Sequence, residues 1–408
     1  MRAGFGKAEI TPPPGVELAG YGYYLGRKCD SVRDPLYARA VMIENGEDRQ
    51  LIVSCDLLGL SREVTDQMLA DAASLGVPRD RVMIVSIHTH TGPVVKYHNG
   101  CGEVDEAYVA SLAERIRPAL SAAAGDLAEV TRLTFTRGTV EGDYIYNRAD
   151  PEGPVDREAR GFRLERRGAP PILLAGAACH GVFLRCVSCV SADFSGELHR
   201  LCAEEGVCSI YLNGLCGDID PWQPSPERMK AYAARIVETL RGDPRELPMT
   251  LRGGRLPFTL RRVAMTRETI HETAARALEK YGGAEKPAAR AALAWEKELT
   301  EKADSLIFDE PGEAAFCVLG GVPILALPFE GFTEIGRTFR RETGLTDAMV
   351  LGCAEELGGY LPTRDDYERG SYAALESMFL YRRLPARAGE AERLAEQLVH
   401  AYRQLGPD

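Results

Sequence analysis

The chain has 408 residues, 45% of them hydrophobic and 27% charged, with a formal net charge of −11 at pH 7. That content suffices for a large core, and an acidic chain of pI near 5.4 excludes nucleic acid as the main partner, which would call for a basic face. No run approaches the about 18 apolar residues of a membrane span, and Met1-Arg2-Ala3-Gly4-Phe5-Gly6-Lys7 lacks the apolar core of a secretion signal, so a cytoplasmic chain is expected.

The first 60 residues read as strands joined by tight turns. Residues 38–44 and 50–56 are β-rich runs around Asn45-Gly46, a hairpin signal. Ser61, with Glu63 close behind, opens an amphipathic helix to about Leu75, which Gly76 and Pro78 close. Val82-Met83-Ile84-Val85 reads as a buried strand. A helix is predicted over 105–124, a strand over 127–137 and a hairpin over 162–178 that turns at 167–171. Ser195-Gly196-Glu197 begins a helix that ends near Gly206, followed by a short buried strand over 207–212 and a helix over 226–241. Residues 263–303, rich in Ala, Glu, Arg and Lys at helical spacing, predict one or two exposed helices. Ile324-Leu325-Ala326-Leu327 is a further buried strand, and 388–405 a closing amphipathic helix. Without a repeat, a low-complexity linker or a break in composition, residues 1–408 are expected to form a single α/β domain. Its mixed sheets would be covered by helices, with 263–303 as a peripheral helical insertion.

Eleven cysteines at irregular spacing, with no export signal, are expected to be reduced thiols. Cys55, Cys202, Cys208 and Cys317 fit the pattern of small buried hydrophobes. Cys186-Val187-Ser188-Cys189 is a lone C-x-x-C that could be redox-active or bind metal.

Polar clusters at the ends of apolar runs carry the chemistry. Ser86-Ile87-His88-Thr89-His90-Thr91-Gly92-Pro93 holds two of the seven histidines. Alternation along an extended chain would point both rings to one side, a natural start for a metal site. The run 172–179 leads into His180-Gly181. Ile210-Tyr211-Leu212 leads into Asn213-Gly214-Leu215-Cys216-Gly217-Asp218-Ile219-Asp220-Pro221-Trp222, where two carboxylates either present acid to one side or serve turns and helix caps. Ile324 to Pro328 leads into Glu330, which could ligate or cap a helix from Phe332, and Tyr360 lies in a glycine-flanked loop.

Taken together, these clusters resemble the catalytic domain of the neutral/alkaline ceramidases and their bacterial relatives. The matching segments are Gly6-Lys7-Ala8-Glu9-Ile10-Thr11-Pro12-Pro13, the His88–Pro93 loop, Tyr146-Asn147-Arg148 and Cys179-His180-Gly181. Further along come Ser191-Ala192-Asp193-Phe194-Ser195-Gly196, Gly217-Asp218-Ile219-Asp220-Pro221, Pro328-Phe329-Glu330 and Gly359-Tyr360-Leu361-Pro362-Thr363 with Tyr367. The resemblance implies mixed sheets sandwiched between layers of helices, and one Zn2+ per chain held by His88, His180, Glu330 and Tyr360. It further implies that His90 and Arg148 face the reacting amide of the substrate.

The chain departs from the family pattern at two places in particular. Asp220 stands where the family has a serine close to zinc, with Trp222 at an asparagine position, and Leu357 replaces a tyrosine upstream of Tyr360. It also ends where secreted ceramidases continue into a β-sandwich domain. The expected reaction is hydrolysis of an amide in a small soluble substrate, or a related ester or cyclic compound, with Asp220 as general base for direct water attack and His90 and Arg148 stabilising the oxyanion. Three alternatives share these parts: a second metal on Asp220, His90 and Asp218; a lyase or isomerase in which Asp220 abstracts a proton; and a non-catalytic binding relative. The loops 21–28, 94–102 and 223–228 are expected to shape the pocket, with Tyr23, Tyr24, Tyr97 and Trp222 as lining candidates. The sequence specifies no oligomeric state.

Overall fold

Why several strands read as unbroken apolar runs is plain in the computed structural model, which describes residues 1–406: they are buried on both faces. Successive side chains alternate between two cores. Leu51 and Val53 face one core and Ile52 the other. In the next strand Val82 and Ile84 oppose Met83 and Val85 in the same way.

Among the described residues the main strands form a nine-stranded and a four-stranded sheet. The larger sheet runs in the order Cys208–Asn213, Ala169–Ala177, Glu158–Arg166, Ala128–Thr139, Arg2–Glu9, Tyr37–Asn45, Asp48–Cys55, Val82–Ser86, with Arg245–Glu246 pairing beside Ala128–Thr139. The smaller is Leu251–Arg261, Asp309–Leu319, Val322–Ala326, Met349–Leu351. Both mix parallel and antiparallel pairs. Helices Arg62–Ser74, Glu106–Gly125, Asp193–Glu204 and Pro226–Leu240 cover the outer face of the large sheet, and Thr333–Thr343 and Glu390–Gln404 that of the small one. The inner faces meet in a core that includes Ile43, Ile52, Met83, Cys317 and Ile324. The order is helix, sheet, sheet, helix, the expected α/β sandwich. No helix among the described residues is long and apolar enough to cross a membrane.

Local signals explain many boundaries. Ser61 Oγ accepts from Val64 N at 3.4 Å and caps the first helix. The strands Leu251–Arg261 and Asp309–Leu319 were not expected from sequence, because Gly253, Gly254, Pro257, Pro311 and Gly312 read as breakers. The first is an edge strand, where proline is tolerated. Phe258 pairs with Gly312 and its ring covers that glycine, leaving no room for a Cβ.

Between these two strands the chain leaves the sheet as helices Arg267–Tyr281 and Pro287–Glu301. They are not exposed throughout. Their inner faces bury Ile270, Ala291 and Trp295 against Phe379 and Leu384, with Tyr23 and Tyr24 packed alongside.

Candidate metal centre

Five site segments follow strands that end at one seam of the sandwich. Val82–Ser86 leads to His88, Ala169–Ala177 to His180, Cys208–Asn213 to Asp220, Val322–Ala326 to Glu330 and Met349–Leu351 to Tyr360. Main-chain bonds join the two sheets there: Ser86 N donates to Cys353 O at 3.0 Å and Gly352 N to Asn213 O at 3.1 Å. Ligand crevices outside the carboxyl ends of strands are a general property of α/β sheets.

His88 and His90 do meet, but not by strand alternation. The strand ends at Ser86, and His88 takes a left-handed φ of 63°. Few non-glycine residues adopt that conformation without a local constraint. Here His88 N donates to Leu57 O at 2.9 Å, and His88 Nδ1 donates to Leu58 O at 2.8 Å, which turns Nε2 toward the centre. The hydroxyls of Thr89 and Thr91 both donate to Ser191 O, at 2.8 and 2.9 Å, which anchors the loop.

His180 is prepared in the same way. Its Nδ1 donates to Ile219 O at 3.2 Å and its Nε2 faces the centre. Gly181 is required beside it, since a Cβ would lie 2.8 Å from His88 O. Glu330 does not cap the following helix, which begins at Thr333. Instead its Oε2 lies 3.1 Å from His88 Nε2 and 3.1 Å from His180 Nε2. Tyr360 is the register partner of Glu330 in a short parallel pair, and its hydroxyl stands 3.4 Å from His180 Nε2. The four residues named as ligands thus share one buried spot.

His90 Nε2 lies 3.4 Å from His88 Nε2. Arg148 follows Ile145–Asn147, which pairs antiparallel with Ile219–Pro221. That pairing brings Arg148 Nη1 to 3.3 Å from Asp220 Oδ1, while Nη2 donates to the Tyr360 hydroxyl at 2.7 Å. Asp218 is occupied elsewhere. Its Oδ1 accepts from Thr333 N and Oγ1 at 2.9 and 2.8 Å, and its Oδ2 accepts from Asn147 at 3.0 Å. Of the two carboxylates, only Asp220 lines the cavity.

That cavity measures about 510 Å3 and is lined by His88, His90, Arg148, Asp220, Glu330 and Tyr360 together with Tyr21, Tyr23, Leu25, Tyr372 and Tyr381. Loops 21–28 and 94–102 contribute to it, as expected. Among the described residues, Tyr24, Tyr97, Trp222 and loop 223–228 are not part of the lining. Trp222 is 45% exposed and packs edge-on against Tyr146 at 5.3 Å.

Several site residues escaped sequence reasoning. The Tyr381 hydroxyl donates to Glu330 Oε1. His98 lines the cavity with its ring 4.6 Å from that of Tyr381, and Cys216 lies beneath His88 and His180. Arg27 is buried, and its guanidinium donates to Ala19 O, His90 O and Val187 O at 2.7, 2.8 and 2.7 Å. It also covers the Tyr21 ring, which packs on His90 at 5.0 Å. No local pattern marks these residues, because most of their partners come from distant segments, such as Val187 for Arg27 and Glu330 for Tyr381.

Burial opposes the charge on Glu330, but His88 and His180 outweigh it and hold its carboxyl well below the usual range. Burial, reinforced by His88 and His180, pushes His90 well below its ordinary value, so its imidazole is neutral at pH 7. Burial raises the Tyr360 phenol well above its ordinary value, with Arg148 pulling the other way. His98 is lowered to about 3, first by burial and then by Lys96.

No protein-family model matches this chain, and no curated protein matches it by sequence. Solved structures match its fold. The neutral ceramidase from Pseudomonas aeruginosa aligns with a TM-score of 0.71 at 17% identity, over 100% of this chain and 75% of that one. A ceramidase complexed with C2 aligns with a TM-score of 0.72 at 16% identity, over 100% of this chain and 76% of that one. The chain therefore has a neutral ceramidase-like fold.

Proposed function

We propose that the chain is a zinc-dependent amidohydrolase that cleaves a C–N bond in a small substrate. The observation that carries this reading is Glu330 Oε2, placed 3.1 Å from two imidazole nitrogens whose ring partners are bonded to backbone carbonyls. Two imidazoles, a carboxylate and a phenol, all directed to one buried spot, suit a single divalent zinc in both donor type and preorganisation. His88, His180, Glu330 and Tyr360 would hold it. When bound, zinc acts as a Lewis acid that polarises a carbonyl and acidifies water.

The chain's own residues account for the rest of the reaction. Asp220 Oδ1, 3.3 Å from the Arg148 guanidinium, is the cavity carboxylate available to a water molecule. As general base it takes a proton from the attacking water while the oxygen bonds to the amide carbon. It then returns that proton to the leaving nitrogen as the C–N bond breaks. Arg148 and the neutral His90 stabilise the negative charge that develops on the carbonyl oxygen, a donor of this kind being worth about 3–4 kcal/mol. The aromatic lining and the volume of about 510 Å3 suit a compact molecule.

Metal analysis of the purified protein tests the reading. One zinc per chain is expected, with its loss in His180→Ala. A wild-type protein that holds no stoichiometric metal would overturn it. A panel of N-acyl amines and cyclic amides assayed with the zinc-loaded protein would then identify the substrate class.

A further inference from the structure

Beneath the histidines lie two sulfurs that the reading above does not use. Cys216 and Cys353 are fully buried and belong to a small cluster with Ala19, Leu58, Val94 and Leu357. Each comes from a different sheet: Cys216 follows Cys208–Asn213, and Cys353 follows Met349–Leu351 with a left-handed φ of 53°. The two turns are joined by the bond from Gly352 N to Asn213 O, so the position of the sulfurs is set by the same seam that assembles the site.

Cys216 is the one that reaches the imidazoles. Its Sγ, a ring nitrogen of His88 and a ring nitrogen of His180 all lie within 4.8 Å of one another. With zinc–sulfur and zinc–nitrogen bonds of about 2.3 and 2.0 Å in a tetrahedral site, two such ligands on one ion are about 3.5 Å apart. The spacing is thus within about 1.3 Å of that of a shared ion, a gap that side-chain rotations toward a bound cation close. The sulfur is also prepared as an acceptor, since Asn213 Nδ2 donates to it at 3.4 Å, and Cys353 packs in the same buried cluster. Cys317, by contrast, is buried among aliphatic side chains between the sheets, as an inert core cysteine should be.

We propose that Cys216 supplies a thiolate ligand to the ion at His88, His180 and Glu330, taking the place given above to the Tyr360 phenol, with Cys353 as the residue that positions it. This rests on the metal reading above. Binding releases the Cys216 thiol proton to solvent, so the charge change is balanced. A sulfur donor also gives the site a preference for zinc over magnesium, calcium or manganese, which hard oxygen donors suit better.

X-ray absorption at the zinc edge of the full-length loaded protein provides the test. A sulfur shell near about 2.3 Å is expected beside nitrogen and oxygen at about 2.0 Å. Cys216→Ser should lose that shell while keeping zinc. Cys353→Ala should keep the shell but weaken zinc in chelator competition by about 10–100-fold, the usual effect of removing a ligand's supporting contact. A wild-type protein with one zinc and only nitrogen and oxygen neighbours would overturn the proposal and leave the metal site standing. A wild-type protein with no zinc would overturn both. The wild-type spectrum decides by itself, so a Cys216 variant that fails to fold does not weaken the test.

Discussion

Asp220 and Arg148 form an ion pair across the cavity, Oδ1 to Nη1 at 3.3 Å, while the same guanidinium donates to the Tyr360 hydroxyl. One cation thus holds the proposed base beside the proposed ligand set. The pairing depends on Ile219–Pro221 lying antiparallel to Ile145–Asn147, which makes Asp220 the register partner of Tyr146.

Asp220→Asn keeps the shape of the side chain and removes its basicity. We expect kcat to fall by about 10²–10⁴-fold, the usual contribution of a positioned general base, with zinc content unchanged. Single-turnover assays with parallel metal analysis check this. Equal activity in the variant would exclude Asp220 as the base.

Arg27→Met tests how the loops around His90 are held. Three backbone carbonyls would lose their donor in a buried place. Unfolding stability should drop by about 3 kcal/mol, and kcat should fall although Arg27 lies outside the ligand set. Urea denaturation and steady-state kinetics together separate this from a mere loss of folded protein.

Trp295→Ala examines whether the helical insertion supports the cavity wall. The indole is fully buried, packs edge-on against Phe379 at 5.3 Å and donates from Nε1 to Arg383 O at 2.9 Å. Truncation should cost about 3–5 kcal/mol. Because Leu380 and Tyr381 adjoin Phe379 and line the cavity, KM should rise as well. Thermal melts and a Michaelis curve measure both.

A pH signature is expected from Asp193, which starts a helix in a left-handed conformation with φ 53°. Burial raises its carboxyl from 3.8 to about 7, with Asp34 adding to the effect and the Phe194 and Leu184 amides opposing it. Between those values the native state keeps a proton that the unfolded chain has released. Stability contributed by this group is therefore full below about pH 4 and declines as pH rises toward about 7, by up to about 1.4 kcal/mol per unit. In Asp193→Asn the decline should vanish. Urea midpoints of the two proteins between about pH 4.5 and 7.5 give the comparison.

The local grammar of this chain was legible. Val82 to Val85 and Ile324 to Leu327 announce strands because apolar β-formers run unbroken, and His88, His180 and Glu330 stand out because polar groups follow such runs abruptly. The strands Leu251–Arg261 and Asp309–Leu319 stayed hidden because their glycines and prolines imitate turns, a signal that edge position and the Phe258 ring override.

The sequence alone thus named the candidates, through polar groups that follow apolar runs and through the family resemblance of those segments, along with the α/β class that carries them. Tertiary structure decided how they meet: the left-handed turn at His88, the diversion of Asp218 to Thr333, and the approach of Cys216, His98, Tyr381 and Arg27. The physical reason is that these contacts join segments far apart in the chain. Their geometry is set by strand order and by main-chain bonds between the two sheets, which no local periodicity encodes.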